Sequence, residues 1–264
     1  MPQRKFSQVF LTDTNILKKI VETAKVKEDE WVLEIGPGKG YLTAELLKAG
    51  AKVIAIEIDE ELFRYLKGEF VLFLDDRLFL YNADFLKINL KELFEKLGIS
   101  ETKVISNIPY HITTPILEKL IYSRDYFPEI YLTVQREVAE RIVAPPGNKV
   151  YGSLTVFVNL YYTPSIEFNI SRFCFHPVPL VNSAFLKLLR KEEVNDRRDL
   201  EKFVRRLFEG RRKKIRTLLR AMGCYNSSLE PVFSNYLDKR PEELSISDFE
   251  SIFRECSSLK NKVQ

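Results

Sequence analysis

The sequence predicts an α/β fold, a mostly parallel sheet covered on both faces, followed by a small all-α C-terminal domain. Three observations carry this. Short apolar runs alternate with amphipathic helical stretches from Trp31 to Val143. The first run, Trp31 to Ile35, enters Gly36-Pro37-Gly38-Lys39-Gly40 and then the helical stretch Tyr41 to Leu47. A strand, glycine turn and helix in that order present a nucleotide-like ligand at the carboxyl end of a sheet strand. Beyond Arg190 only helical periodicity remains, at Leu200, Phe203, Val204 and Leu207, then at Ile215, Leu218 and Leu219. The expected domains are 1–190 and 195–264, with Lys191 to Asp196 as the linker.

The elements follow in order. Asp13 or Thr14 caps a helix through Ile16, Leu17, Ile20 and Val21. Strands are expected at Trp31–Ile35, Lys52–Glu57, Leu78–Tyr81, Lys103–Ser106 and Ile130–Val134. Helices are expected at Tyr41–Leu47, over most of Glu60–Leu74, at Leu90–Leu97, from Thr113 onward, and at Arg136–Val143. Ala144 to Lys149 is a loop by composition. Ser153 to Tyr162 fits either a helix or a buried strand. Ile166–Ile170 and Ala184–Leu189 complete the sheet as an antiparallel pair at its edge.

Bulk properties exclude several classes. The 264 residues are 45% hydrophobic, enough for a large core, yet no apolar run approaches the roughly 18 residues of a membrane helix. The basic start, Met1 to Phe6, has no apolar segment behind it, so no signal peptide is expected. Cys174, Cys224 and Cys256 fit neither a disulfide framework nor a zinc spacing, which points to a reducing, cytoplasmic setting. Net charge is only +4, but Arg197 to Arg220 holds eleven Lys/Arg against three acids, which points to a polyanionic partner.

Candidate chemistry gathers at strand ends. Gly36 and Gly38 permit positive φ and close approach of a ligand. Glu57 lies 19 positions after Gly38, where an acid can accept from both ribose hydroxyls. Asp84 either accepts from an adenine amino group, with the Phe85 N–H on a ring nitrogen, or caps a helix. Asn107-Ile108-Pro109-Tyr110 is more specific. The exocyclic amine of adenine is a poor nucleophile, because its lone pair is delocalised into the ring. The Asn107 side-chain oxygen and the Ile108 carbonyl can hold both its hydrogens, Pro109 has no competing N–H, and Tyr110 can stack on the base. Such a base must be unpaired or flipped. Phe175 either sandwiches that base against Tyr110 or is a core aromatic. His111 and His176 lack catalytic partners at a recognisable spacing, and no hydrolase triad, P-loop or metal cluster is present in the sequence.

Taken together, these motifs resemble the small-subunit ribosomal RNA adenine N6,N6-dimethyltransferases, the KsgA (RsmA) family. Gln8 to Leu11 resembles its Q-N-F-L, Glu34 to Gly40 its E-I-G-P-G-x-G, and Asn107 to Tyr110 its N-[LI]-P-Y. Gln135 to Arg141, Pro146 to Gly152 (P-G-x-K-x-Y-G) and Phe175 to Ser183 (F-x-P-x-P-x-V-x-S) extend the match over nearly the whole chain. The resemblance implies a class I, Rossmann-like seven-stranded methyltransferase sheet with a helical C-terminal domain. It implies S-adenosyl-L-methionine as cofactor, held by Gln8, Val9, Leu11, Gly36, Gly38, Glu57, Ile58, Asp84, Phe85 and Asn107. Catalytic positions would be Asn107, Ile108, Pro109, Tyr110 and Phe175. RNA contacts would come from Arg136, Lys149, Arg211, Arg212, Lys213 and Lys214. The implied product is N6,N6-dimethyladenosine at two adjacent residues near the 3′ end of 16S rRNA. The implied partners are small-subunit rRNA and the pre-30S particle, with no membrane and a monomeric protein. Two departures stand out: Val9 where the family has Asn, and Ser153 where an Arg is common. Alternatives are the resistance-type branch acting on large-subunit rRNA and a non-catalytic assembly factor. Lys239 to Phe249 resembles the small-subunit branch.

Overall fold

A computed structural model describes residues 9–192, 196–225 and 230–262. The chain begins with β1 (Phe10–Leu11) and α1 (Thr14–Thr23), whose first turn is capped by Asp13 Oδ1 accepting from the amides of Asn15 and Ile16. It then alternates: β2 (Trp31–Ile35), α2 (Tyr41–Lys48), β3 (Lys52–Glu57), α3 (Glu60–Glu69), β4 (Leu78–Asn82), α4 (Leu90–Leu97), β5 (Lys103–Asn107), α5 (Thr113–Tyr122), β6 (Glu129–Gln135) and α6 (Arg136–Ile142). Next come α7 (Ser153–Tyr161), β7 (Tyr162–Ile170), β8 (Phe175–His176) and β9 (Ser183–Arg190). Helices α8 (Arg198–Glu209), α9 (Ile215–Ala221), α10 (Glu230–Phe233) and α11 (Ile246–Lys262) complete the described chain.

Seven strands form one sheet in the order β4-β3-β2-β5-β6-β9-β7. The pairs β2·β3, β3·β4, β2·β5 and β5·β6 are parallel, and β6·β9 is antiparallel. Central strands β2, β3, β5 and β6 are buried almost throughout, as expected of a sheet covered on both faces. Edge strand β7 alternates half-buried and exposed positions between its two buried ends instead. From β2 the chain winds outward to β3 and β4, then returns to β5 on the other side of β2. That reversal opens a crevice beyond the carboxyl ends of β2 and β5.

The structure resolves what the sequence left open. Ser153 to Tyr161 is helical: Gly152 N donates to Thr155 Oγ1 at 3.1 Å, and Thr155, Val156, Phe157, Val158, Leu160 and Tyr161 are buried. Helix α3, capped by Asp59, ends at Glu69, and the remainder of the expected helix is a 3-10 turn, Val71–Phe73. A second, two-stranded sheet, β1·β8, has no counterpart in the sequence reading.

The chain forms two compact units, 1–139 with 164–190, and 140–163 with 191–264. Segment 140–163, placed in the first domain by linear reading, therefore lies in the second unit. The cause is local: α7 packs on α8 and α11, Tyr151 OH donates to the Leu244 carbonyl at 2.9 Å, and Gly147 N donates to the Glu242 carbonyl at 2.7 Å.

Gly40, the N-cap of α2, has φ +75°, and a Cβ there would lie 2.5 Å from Phe70 Cε2 and 2.8 Å from Leu66 Cδ2. Gly98 also has positive φ, +67°, but open space around it. Gly98→Ala should cost only the left-handed backbone penalty, about 1–2 kcal/mol. Gly40→Ala should cost about 1–3 kcal/mol more through overpacking. Equal urea midpoints for the two variants would contradict this packing account.

Candidate active site

A cavity of about 520 Å³ opens at the carboxyl ends of β2, β3 and β5. Its walls come from β1, the glycine turn, the end of β3, the segment after β4 and the segment after β5. The glycine turn takes the conformation its residues permit, with φ of +66° at Gly36, +60° at Gly38 and +75° at Gly40. A Cβ on Gly38 would lie 2.6 Å from the Phe10 ring, so this turn and β1 close on each other.

Glu57 is only 4% exposed. Its Oε2 accepts from Gly38 N at 3.0 Å and its Oε1 from Asp59 N at 2.9 Å. Burial raises its pKa, and those two amides, Asp59 first, pull it back down. Glu34, buried in β2 beneath the turn, accepts from Thr43 Oγ1 at 2.6 Å. Burial pushes its pKa up to about 8, partly offset by the Thr43 hydroxyl and reinforced by the charge of Glu57. Of these two neighbouring carboxylates, Glu57 holds two amide donors and Glu34 a single hydroxyl, so Glu34 is the more strongly raised by burial.

At the end of β5, Ser106 and Asn107 point to opposite faces. Ser106 Oγ donates to the Ile35 carbonyl at 2.6 Å and accepts from Ile35 N at 3.2 Å. Asn107 Oδ1 is buried and has no hydrogen-bond partner among the described residues. A buried acceptor left without a partner calls for an explanation, and Asn107 lines the cavity. Ile108, Pro109 and Tyr110 line it too. Tyr110 OH and Ser183 Oγ lie 2.6 Å apart, and Ser183, the first residue of β9, is fully buried. Burial raises the Tyr110 pKa, with the Ser183 hydroxyl opposing.

The cavity thus brings together Val9, Leu11, Gly36, Gly38, Glu57, Ile58, Asp84, Asn107, Ile108, Pro109 and Tyr110. Asp84 Oδ1 accepts from Leu86 N at 2.9 Å, which fixes the turn after β4. Gln8 lies outside the described residues. Two expected residues do not line the cavity. Phe85 is 5% exposed, with Lys119 Nζ 5.1 Å from its ring centre. Phe175 is 2% exposed and pairs with Leu11 in β1·β8, so its ring is a core aromatic behind the wall instead of one face of a sandwich with Tyr110. Strand alternation turns His176 outward and Phe175 inward.

Among the expected RNA contacts, Arg136 opens α6, its amide donating to the Asn182 carbonyl at 3.0 Å. The others lie in the second unit. Arg211 donates to the Lys149 carbonyl and pairs with Glu242 at 3.8 Å, and Lys214 pairs with Asp238 at 2.9 Å. Arg212 and Lys213 are exposed and have no ion pair among the described residues. Glu34, Leu86, Ile112 and Gln135 line the cavity without having been singled out for a role. Only Glu34 carried a signal, a lone acid inside an apolar strand.

A parallel sheet with a glycine turn, an acid closing the second strand and a polar rim ending in Asn-Ile-Pro-Tyr defines a class I methyltransferase. The chain belongs to the ribosomal RNA adenine dimethylase family, whose profile matches residues 2–260. It is 38% identical over 268 residues to the ribosomal RNA small subunit methyltransferase A of Protochlamydia amoebophila, covering 97% of this chain and 92% of the relative. The Lactococcus lactis protein of the same name is 40% identical over 260 residues, covering 94% and 87%. A crystal structure of a dimethyladenosine transferase from Plasmodium falciparum superposes with a TM-score of 0.80 at 28% identity, covering 94% of this chain and 98% of that one.

Native Glu34 keeps its proton up to about pH 8, whereas an unfolded glutamate releases it near 4.5. Between those values the native state binds a proton that the unfolded state has lost, so stability falls as pH rises through this window. Glu34→Gln keeps an acceptor for Thr43 and removes the titration. Melting temperature should therefore fall less between pH 6 and pH 8.5 in Glu34→Gln than in the parent. Parallel curves in calorimetry would show that Glu34 is ionised in the native protein.

Proposed function

We propose that the protein transfers methyl groups from S-adenosyl-L-methionine to the exocyclic amines of two adjacent adenosines near the 3′ end of 16S rRNA. The product is N6,N6-dimethyladenosine, made as a monomer in the cytoplasm on the pre-30S particle. The observation that carries this reading is the buried, unpartnered Oδ1 of Asn107, a residue that lines the cavity together with Ile108, Pro109 and Tyr110.

The residues present suit the cofactor. Gly36 and Gly38 offer backbone without a Cβ, Glu57 offers a carboxyl acceptor for ribose hydroxyls, and Asp84 with the Phe85 amide suits an adenine edge. Val9, Leu11 and Ile58 supply apolar walls. At Val9 the side-chain contact expected of Asn is replaced by apolar packing. When bound, S-adenosyl-L-methionine supplies an electrophilic methyl group on a sulfonium centre. The chain's part is orientation. Asn107 Oδ1 and the Ile108 carbonyl accept the two amine hydrogens and turn the lone pair toward the electrophile. Pro109 offers no competing N–H. Tyr110, its hydroxyl held by Ser183, presents its ring to the base. The amine needs to lose a proton only as positive charge develops on it, so no side chain is assigned as general base.

In the second unit, Lys149, Arg211, Arg212 and Lys213 form a basic surface suited to phosphates, which positions RNA without reading its bases. Arg211 and Lys214 are engaged within the unit, so Arg212 and Lys213 are the freer contacts. Replacing both with Ala should weaken binding to matched and unmatched RNA alike. It should flatten the slope of log K against log salt by about 0.7 for each lost single-strand contact. An unchanged slope would remove these residues from the RNA surface.

Transfer of label from the cofactor to small-subunit particles, with the modified bases mapped, tests the reading as a whole. Label on two adjacent adenosines is expected. Asn107→Ala should slow transfer on the order of 100- to 1000-fold, as for loss of one preorganised polar group, with a smaller change in cofactor affinity. Label elsewhere, or an Asn107→Ala protein at parental rate, would refute the assignment.

A further inference from the structure

The loop from Ser171 to Asn182 is tied at both ends to walls of the cavity. At one end, β8 pairs with β1, and the Cys174 carbonyl accepts from Thr12 N at 2.9 Å. At the other, Ser183 holds the Tyr110 hydroxyl. The two ends are also clipped together, because Arg172 N donates to Asn182 Oδ1 at 3.0 Å. The Asn182 carbonyl in turn accepts from the amide of Arg136. A loop so fixed has no need of exposed apolar side chains, yet Phe173 is 72% and Leu180 91% exposed. The Arg172 guanidinium lies 4.9 Å from the Phe173 ring centre.

We infer that Phe173 is a stacking platform for a nucleobase next to the target adenosine, and that Arg172 and Arg136 face the phosphates of that unpaired strand. This rests on the adenine methyl-transfer reading above. An open aromatic ring next to a guanidinium is the combination on which single-stranded bases stack without regard to sequence. Continuity with the cavity supports it. Phe173 is two residues from Phe175, which backs the cavity wall, and two residues span at most about 7 Å, the reach of one nucleotide. A flipped adenine loses its stacked neighbours, and a platform at the rim replaces that stacking for the base left outside. An apolar partner protein would not need the two arginines.

The test combines the KM for small-subunit particles with the fluorescence of a hairpin RNA from the small-subunit 3′ end that carries 2-aminopurine beside the target adenosine. Phe173→Ala should raise the KM for particles about tenfold, leave kcat and cofactor affinity near parental values, and abolish quenching of the 2-aminopurine. Phe173→Trp should restore both. A parental KM in Phe173→Ala would overturn the platform while methyl transfer by the parent left the functional reading intact. A raised KM with undiminished quenching would also overturn it, since the patch would then dock a protein of the particle. Phe173-dependent quenching by a parent protein that transfers no methyl group would keep the platform and reject the functional reading.

Discussion

The hydrogen bond from Gly38 N to Glu57 Oε2 is the constraint on which the cavity depends. A turn with three residues at positive φ belongs to neither helix nor sheet, and its amides need acceptors from elsewhere. Glu57, at the end of the neighbouring strand, supplies one from its carboxylate. It is tied on its other oxygen to Asp59 N. The β2·β3 register, with Ile35 opposite Ile56, brings strand end and turn to the same height. The same carboxylate that shapes the turn therefore faces the cavity. Its charge also reaches Glu34, which stays protonated beneath it. Two acids are buried side by side here, one tied by two backbone amides and the other by a single hydroxyl.

Much of this is legible in the sequence because local chemistry and global fold agree there. Trp31 to Tyr41 has an apolar run, a turn that only glycine permits, and a helical stripe, and each element forms where its residues require it. The 19-residue offset to Glu57 reflects one helix and one strand of ordinary length, so the meeting of acid and turn could be anticipated. Their direct hydrogen bond could not, since an offset gives proximity and not the direction of a side chain.

The features that sequence concealed depend on contacts between distant segments. Strand β1 is two residues long and exists because β8, more than 160 positions later, pairs with it. Phe175 looks like a base-stacking aromatic when its motif is read linearly, but that pairing turns it into the core. Ser153 to Tyr161 has a nearly uniform apolar composition, so periodicity could not separate helix from strand. Burial on several sides decides it. The same burial assigns 140–163 to the second unit, where Lys149 joins a basic run that follows it by some sixty positions.

The end of β5 shows how a sheet can present an acceptor without losing its own cohesion. Ser106 and Asn107 are adjacent and both polar, and strand alternation sends them to opposite faces. Ser106 is consumed by structure, with its hydroxyl donating to and accepting from Ile35 across the β2·β5 gap, just where regular pairing of those strands has ended. Asn107, opposite Thr133 of β6, is left with a buried oxygen that has no partner among the described residues. Pro109, two residues on, has no N–H to offer it. An acceptor of this kind costs stability for as long as it stays unpaired, and any donor brought to this point would offset that cost. The polarity at the end of β5 thus divides into one group that holds two strands together and one left unpaired on a residue lining the cavity, and alternation along a single strand is enough to separate them.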